Sequence, residues 1–452
     1  MIKKLKWNHH AVLGDLELDF SKPDGSIYNT IVLAGENGTG KTTILNTIST
    51  FLNLGSIEPF EYINYVINGV AYTINPISDH PDLGFHSRKN EADGTVQTIR
   101  SNRDNNPASI ASDPADIRHY GCSYSKARSG FNTKKVTAST TQQLDSDKYE
   151  SDTREDFTSI KQLIVDIDAQ DNSEWMRITE SGIGTPFSTF KKNSKKYRFE
   201  NAFNSFFDTI KFKRVDNTDA SEKNIIFEKH GKDISIDNLS TGEKQIVFRG
   251  AHLLKNMNSM SGGTVLIDEP ELSMHPKWQQ KILPYYRNLF NKNDTQDVQM
   301  IFATHSEYIL RSALEDRDNV LIISLSDING EIKPENVIAP TVLPTITSAE
   351  INYLTFGIIS TDYHIELYGY LQNKTGKHTV KSCDDYIAAQ TSLFNPALHQ
   401  KASSFTNLHG QTTNYQTLPT YIRNLIDHPD PTHSYTQEEL KCSIELLIEL
   451  CK

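Results

Sequence analysis

The sequence has 452 residues, of which 37% are hydrophobic, and a formal net charge of −11 at pH 7. This length exceeds that of one ordinary domain, so we expect a large core with insertions or an appended unit. The negative charge argues against a surface that binds nucleic acid throughout. With no apolar run near 18 residues and no signal-peptide pattern, we expect a cytoplasmic protein without a membrane span. The four cysteines lack C-x-x-C spacing, which favours reduced structural thiols.

Residues 1–30 predict two strands, because apolar and acidic side chains alternate in the second of them. Residues 55–116 predict a β-rich insertion, whose polar tract at 79–113 favours a mobile loop. Residues 140–215 predict mostly helices. From about Pro334 onward the pattern changes to that of a separate, mostly helical unit.

Segment 31–43 combines an apolar strand, a glycine-rich loop and the start of a helix, and it fits G-x-x-x-x-G-K-[ST]. Gly35 and Gly40 allow the backbone N–H groups to face phosphate oxygens. We expect Lys41 to lie between the β- and γ-phosphates and the Thr42 hydroxyl to bind Mg²⁺. The residues predicted to bind the nucleotide are Glu36, Asn37, Gly38, Thr39, Gly40, Lys41, Thr42 and Thr43.

A second segment, Leu239–Gln245, opens a predicted helix. Ser240 and Glu243 have the spacing of a capping box. Gly242, in the first turn, disfavours a helix and makes sense if a phosphate approaches the backbone closely. The segment therefore predicts a capped helix and, in addition, a phosphate contact.

Two further strands end in polar side chains. A buried strand ends in Asp268 and Glu269, and another ends in Thr304, His305 and Ser306. We expect Asp268 to hold Mg²⁺ through water and Glu269 to orient or deprotonate the attacking water. His305 is expected to contact the γ-phosphate and to link hydrolysis to conformation.

These segments, in this order, resemble the ABC class of ATPases: Walker A, signature, Walker B and switch histidine. The resemblance covers residues 1 to about 325, and Glu271–Pro276 is similar to the RecF and OLD-type soluble branch. It implies that two chains clamp ATP and Mg²⁺ between them, as a homodimer or a higher even oligomer. The signature residues that would act on the partner's ATP are Ser240, Thr241, Gly242 and Glu243. No glutamine stands in the expected sensing loop at 123–128.

The implied fold is α/β: an ABC-type P-loop ATPase core with an N-terminal antiparallel β subdomain and a helical insertion, plus a mostly helical C-terminal domain. The expected parts are 1–54 and 236–326 for the core, 55–116 for the β-rich insertion, 117–235 for a helical subdomain and 334–452 for a partner-binding domain.

The C-terminal segments 348–353, 361–368 and 418–429 resemble the PtuA family, the ATPases of Septu and retron-associated anti-phage defence systems. This resemblance implies a partner HNH nuclease, PtuB-like, docked through the C-terminal domain. It also implies contact with DNA through the complex, control of nucleic-acid cleavage by nucleotide state, and no nuclease activity in this chain alone.

Alternatives remain open at this point. One is a RecF-like DNA-binding repair ATPase. Another is a HEPN-type ribonuclease, because Arg423 and His428 have the spacing of that motif. A third question concerns one cluster of positive charge: in the stretch 190–199 lysines and an arginine alternate with aromatic residues, and Lys211, Lys213 and Arg214 follow. It is either a phosphate-contacting patch or a solvated helix face.

Overall fold

The computed structural model describes residues 1–77, 84–102, 107–128, 130–146, 148–149, 157–182, 184–219, 221–292, 295–406, 410, 412–429 and 431–452. The predicted mobile loop within 79–113 lies partly outside these residues; in the described part of that tract, Phe85–Asn90 and Val96–Arg100 form paired strands rather than a loop. The chain divides into two compact units, Met1–Glu335 and Asn336–Lys452. In the described part of the chain, no helix has both the length and the apolar character needed to cross a membrane.

The strands, in chain order, are β1 (Ile2–Trp7), β2 (Glu17–Asp19), β3 (Thr30–Gly35), β4 (Phe60–Ile67), β5 (Val70–Pro76), β6 (Phe85–Asn90), β7 (Val96–Arg100), β8 (Cys122–Ser125), β9 (Ile210–Asp216), β10 (Asn224–Lys229), β11 (Lys232–Ser235), β12 (Thr264–Asp268), β13 (Asn291–Lys292), β14 (Thr295–Gln296), β15 (Gln299–Thr304), β16 (Val320–Ile328), β17 (Glu331–Asn336), β18 (Gln400–Thr406) and β19 (Thr412–Thr417).

The helices are α1 (Lys41–Leu52), α2 (Pro107–Ala111), α3 (Phe157–Glu180), α4 (Phe187–Asn193), α5 (Tyr197–Phe206), α6 (Thr241–Lys244), α7 (Gly250–Leu254), α8 (Pro276–Leu289), α9 (Glu307–Glu315), α10 (Ser348–Phe356), α11 (Thr361–Thr375), α12 (Val380–Ala389), α13 (Pro396–His399), α14 (Leu418–Asp427) and α15 (Gln437–Cys451). A π-helical segment, Gln245–Arg249, joins α6 to α7.

The central sheet of the first unit has the strand order β17-β16-β3-β15-β12-β8. Strands β16, β3, β15, β12 and β8 pair in parallel. Strands β3, β12 and β15 are buried along their whole length, which is why their sequences are nearly continuous apolar runs. Because parallel strands end at the same edge of a sheet, β3, β12 and β15 bring Gly35, Asp268 and Thr304 together.

An antiparallel sheet, β2-β1-β4-β5-β6-β7, confirms the predicted N-terminal β subdomain. Its aromatic side chains pack on helix α1: the rings of Trp7 and Phe60 are 5.2 Å apart, and those of Phe51 and Phe60 are 6.2 Å apart. This packing fixes α1, and with it the glycine-rich loop that precedes it.

The expectation of a helical subdomain over 117–235 needs correction. Helices α3, α4 and α5 lie there, but residues 210–235 form a three-stranded antiparallel sheet, β11-β10-β9. In β9, Ile210 and Phe212 are buried while Lys211 and Lys213 are exposed. Alternation of buried and exposed residues with a period of two is typical of a strand. The sequence analysis interpreted Lys211 and Lys213 as part of a charge cluster and therefore missed this strand. Strand β8, at the start of the same range, belongs to the central sheet.

The second unit is mostly helical, as predicted, with a core around Tyr363, Tyr368 and Leu447 on helices α11 and α15. It also contains the antiparallel hairpin β18-β19, which the sequence interpretation missed. The hairpin is largely exposed and polar, so it lacks the apolar alternation by which a strand is recognised. Cys383 and Cys451 of this unit are buried free thiols, as is Cys122 of the first unit.

Candidate active site

The glycine-rich loop requires glycine at two positions. Gly35 has φ +145°, and a Cβ there would lie 2.3 Å from the carbonyl oxygen of Leu325. Gly40 has φ +81°, and a Cβ there would lie 2.4 Å from the Leu13 side chain. Both distances are far below van der Waals contact, so the loop can follow this path only without side chains at these positions.

Lys41 begins helix α1 directly after the loop. Its ammonium donates hydrogen bonds to the carbonyls of Gly35 and Glu36 at 2.9 and 2.8 Å. The side chain is buried, and burial lowers the pKa of Lys41 to about 8, although nearby carboxylates act in the opposite direction. A buried cation of this kind is stabilised by an anion that binds to the loop.

The two predicted Mg²⁺ ligands lie in contact. The Thr42 hydroxyl donates a hydrogen bond to the Asp268 carboxylate at 2.9 Å. Asp268 is buried at the end of β12, and burial raises the pKa of its carboxyl group. A hydroxyl and a carboxylate oxygen beside a phosphate loop are donors of the type that Mg²⁺ prefers, so these residues fit the metal.

Glu269 and His305 face each other. The imidazole Nε2 lies 3.7 Å from the Glu269 carboxylate, and about one third of each side chain is exposed. Glu269 has φ +43°, a conformation that is unfavourable for a residue with a side chain and is concentrated at functional sites. Burial, together with the charge of Lys41, lowers the pKa of His305, so its ring is neutral near pH 7.

Glu271 holds the backbone at His305. One of its carboxylate oxygens accepts the Thr304 hydroxyl at 2.7 Å and the His305 backbone N–H at 2.8 Å. The other oxygen is buried and has no hydrogen-bond partner in the part of the chain that the structure describes. Burial raises the pKa of this carboxyl group. In the sequence, Glu271 only indicated similarity to the RecF and OLD-type branch, and this contact with His305 was not predicted.

The predicted capping box at the signature segment forms. The Ser240 hydroxyl accepts the Glu243 N–H at 3.4 Å, and the Glu243 carboxylate accepts the Ser240 N–H at 2.8 Å. Lys229 donates to the same carboxylate at 2.6 Å. Glu243 is therefore buried and engaged within its own chain, whereas Ser240 and Thr241 are exposed.

The lack of a side chain at Gly242 has a local explanation. A Cβ at this position would lie 2.8 Å from the carbonyl oxygen of Ser273 and 3.4 Å from the ring of Trp278. The turn after β12 thus packs directly on the signature segment. The close approach of a phosphate, which the sequence argument invoked for Gly242, is not needed to account for glycine here.

Arg249, in the π-helical segment, contacts Ser125, Asp268 and Glu269. The sequence analysis did not predict this role. Its fully buried guanidinium donates to the carbonyl oxygens of Asp268 and Glu269 at 2.6 and 2.9 Å. It also donates to the Ser125 hydroxyl at 2.7 Å. Arg249 therefore fixes the backbone that carries both acids to the helix that follows the signature. A π-helical turn is a frequent feature of functional sites.

The segment 123–128, where the family resemblance places a sensing loop, begins in strand β8. Strand β8 pairs in parallel with β12, so the segment leaves the sheet at the same edge as Asp268. The Gln245 side-chain amide donates to the Arg128 carbonyl at 2.5 Å. A glutamine of the signature segment thus contacts the loop in which no glutamine was found.

Most cations of the stretch 190–199 are engaged within the chain, which argues against a phosphate-contacting patch formed by the whole stretch. Lys195 donates to the side chain of Gln170. The ion pairs are Lys191 with Glu200, Lys196 with Asp168, and Arg198 with Asp145. Lys192 is exposed and forms no such pair within the described residues.

The geometry does not support the HEPN alternative. Arg423 pairs with Asp427 at 2.6 Å, on the same helix. Helix α14 ends at Asp427, so His428 lies outside it, and the His428 ring stacks on Phe405 with centroids 5.2 Å apart. Arg423 and His428 are therefore not presented as a catalytic pair on one helix face.

The family model AAA_21, described as "AAA domain, putative AbiEii toxin, Type IV TA system", matches residues 31–311. The chain belongs to the AAA_21 family. The match covers more than half of the sequence and extends from strand β3 into helix α9, so it includes the glycine-rich loop, the signature segment, both acids and His305.

Three relatives of this AAA_21 chain belong to retron or Septu systems. The "Retron Vc95 probable ATPase" of Vibrio cholerae is 33% identical over 128 residues, or 26% of this chain and 23% of that protein. The "Retron Ec83 probable ATPase" of Escherichia coli is 28% identical over 167 residues, or 34% and 28% of the two chains. The "Septu protein PtuA" of Bacillus thuringiensis is 23% identical over 329 residues, or 69% and 74%.

The AAA_21 chain thus spans about a quarter of the length of the two retron ATPases. Among solved structures, the SMC head domain from Thermotoga maritima is 15% identical, with a TM-score of 0.37 over 74% of this chain and 98% of that one. The family match and these relatives show that this AAA_21 chain is related to the retron ATPases and to PtuA.

Proposed function

We propose that the chain is the ATP-binding and ATP-hydrolysing subunit of an anti-phage defence complex. The observation that carries the proposal is the set of contacts at the carboxyl edge of the central sheet. There the loop lysine, the hydroxyl–carboxylate pair and the Glu269–His305 pair converge. Such a set fits a nucleoside triphosphate with its metal.

In this proposal the loop N–H groups and Lys41 bind the β- and γ-phosphates. Thr42 and Asp268 would hold Mg²⁺, which neutralises phosphate charge when it is bound. Glu269 accepts a proton from the attacking water, and neutral His305 is positioned to hydrogen-bond the γ-phosphate or that water. Glu271 keeps the His305 backbone in place.

The signature segment acts on a second chain. The exposure of Ser240 and Thr241 at the start of a helix supports this role, because the capping box and the packing of Gly242 on Ser273 hold the turn rigid from within. A closing dimer would press on that turn. Arg249 would then transmit the change to the backbone of Asp268 and Glu269.

The partners follow from the relatives. Similarity to the Septu protein PtuA over most of both chains supports a defence complex, and we propose that the second unit docks an HNH nuclease of the PtuB kind. The complex would contact DNA, work in the cytoplasm and cleave nucleic acid under the control of nucleotide state.

A phage-plating assay with the neighbouring nuclease gene tests the proposal. Cells that carry both wild-type genes should reduce plating, and Lys41→Ala or Glu269→Gln should change that protection. Protection that both variants leave untouched, with both proteins present at normal levels, would show that nucleotide turnover is not part of the defence.

A further inference from the structure

A cleft of about 700 Å³ lies in the first unit, away from the glycine-rich loop. Residues of α4 and α5 form one wall, and residues of α8 form the other. The end of α7 also lines the cleft through Leu254. Small-molecule sites in proteins have volumes of roughly 300 to 1,000 Å³, so the cleft is large enough for one.

The charge of the cleft is positive in an acidic protein. Its charged lining residues are Lys192, Arg198 and Lys281, and no aspartate or glutamate occurs among the lining residues described. Arg198 and Lys281 each have an acidic partner, Asp145 and Asp208. The Lys192 ammonium has none in the described ranges, so it is available to an anionic ligand.

The rest of the lining suits a planar ring with polar edges. Tyr197 and Phe206 offer aromatic surface, and the side-chain amides of Asn201 and Gln280 make no hydrogen bond within the described parts of the chain. The Tyr285 ring also lines the cleft, while its hydroxyl is buried against Gly250.

The cleft is connected to the signature segment by packed rings. Phe206 lies edge-on to Trp278, with centroids 5.9 Å apart, and Trp278 is the ring that would lie 3.4 Å from a Cβ at Gly242. Leu254, on the cleft wall, ends the helix that carries Arg249. A ligand in the cleft therefore touches elements that hold the signature turn and the two acids.

We propose that this cleft is a second, effector site for a small nucleotide, a phosphate-bearing molecule with a planar base. Lys192 binds the phosphate, and the aromatic and amide side chains bind the base. The proposed binding depends on the cleft alone, whereas the effect on ATP affinity rests on the proposed ATP-binding function.

Equilibrium dialysis of the full chain tests the binding. With the loop site saturated by a non-hydrolysable ATP analogue and Mg²⁺, AMP, GMP and CMP serve as probes, together with inorganic phosphate and a single-stranded oligonucleotide. We expect one additional mononucleotide per chain. Lys192→Glu should weaken it about tenfold or more, and Lys377→Glu, at an exposed lysine of the second unit, should not.

Two outcomes overturn the site: no mononucleotide bound beyond the loop site, or binding that Lys192→Glu leaves unchanged. Binding of the oligonucleotide without the mononucleotides would replace the proposal by a nucleic-acid contact. Lys41→Ala separates the two proposals, because it should weaken ATP binding by about 100-fold and leave the mononucleotide in the cleft.

The effector role has its own measurement. A saturating mononucleotide should change the apparent ATP affinity by about fivefold or more, and Lys192→Glu should remove that change. Equal ATP affinity with and without the mononucleotide would contradict the effector role.

Discussion

The carboxyl edge of the central sheet and the signature turn are organised in opposite ways. At the sheet edge the functional groups bond to one another: Lys41 to loop carbonyls, Thr42 to Asp268, and Glu271 to the residues around His305. At the signature turn the capping box between Ser240 and Glu243 holds the backbone, while Ser240 and Thr241 remain exposed to solvent. This difference supports the proposal that one chain binds a nucleotide by itself and that its signature acts on a partner chain.

The largest expected effect is on hydrolysis. Glu269→Gln keeps the shape of the side chain and removes the base, so turnover should fall by about 10²- to 10⁴-fold while ATP still binds. Single-turnover kinetics with labelled ATP measures this. Unchanged turnover would remove Glu269 from the base role and would leave the sheet edge as a binding site only.

Removal of the loop cation comes next. Lys41→Ala should weaken ATP binding by about 100-fold, because a charge-assisted contact to the phosphates is lost from a buried position. Titration calorimetry with an ATP analogue and Mg²⁺ measures the affinity, with Lys377→Ala as the matched control. Wild-type affinity in Lys41→Ala would show that the loop does not hold the phosphates.

The lowered pKa of Lys41, about 8, predicts a pH dependence. Above pH 8 the free protein loses this proton, and phosphate binding favours the charged form, so ATP affinity should be flat below pH 8 and fall by up to tenfold per pH unit above it. The unfolded chain has the higher pKa, so the contribution of Lys41 to folding stability rises with pH between about 8 and 10.5. Lys41→Arg, always charged, should give a flatter affinity profile.

A smaller effect tests the packing of Gly242 in the signature turn. In Gly242→Ala the added methyl group would meet the Ser273 carbonyl, so the free energy of unfolding should fall by about 1 to 3 kcal/mol. Chemical denaturation of the nucleotide-free protein measures it, with Thr241→Ala, at the exposed neighbouring position, as the control. A loss of hydrolysis without any loss of stability would return Gly242 to the phosphate role that the sequence suggested.

Sequence reasoning reached the parts of the site that are encoded locally. The glycine loop, the capping box and the acids at the end of β12 each occupy a few consecutive residues, and their spacing carries the chemistry. Arg249 and Glu271 were not predicted because their hydrogen-bond partners are distant in the sequence. Arg249 and Ser125 are 124 positions apart, and Glu271 and His305 are 34 positions apart. Only the folded sheet brings such residues together.

The same contrast applies to the fold. Apolar runs identified the buried parallel strands, whereas β9 to β11 and the hairpin β18-β19 are short, charged or polar, and exposed on one side. Their strand pairing comes from tertiary context, which overrides the weak preferences of the individual residues.

The central claim, that the signature turn of one chain acts on the nucleotide of another, is tested most directly by light scattering of the Glu269→Gln protein with and without ATP and Mg²⁺. We expect ATP to double the molar mass, and adding Thr241→Arg, at an exposed position that is not part of the capping box, to prevent the doubling while ATP still binds. A molar mass that ATP leaves unchanged in Glu269→Gln, or a doubling that survives Thr241→Arg, would contradict this claim.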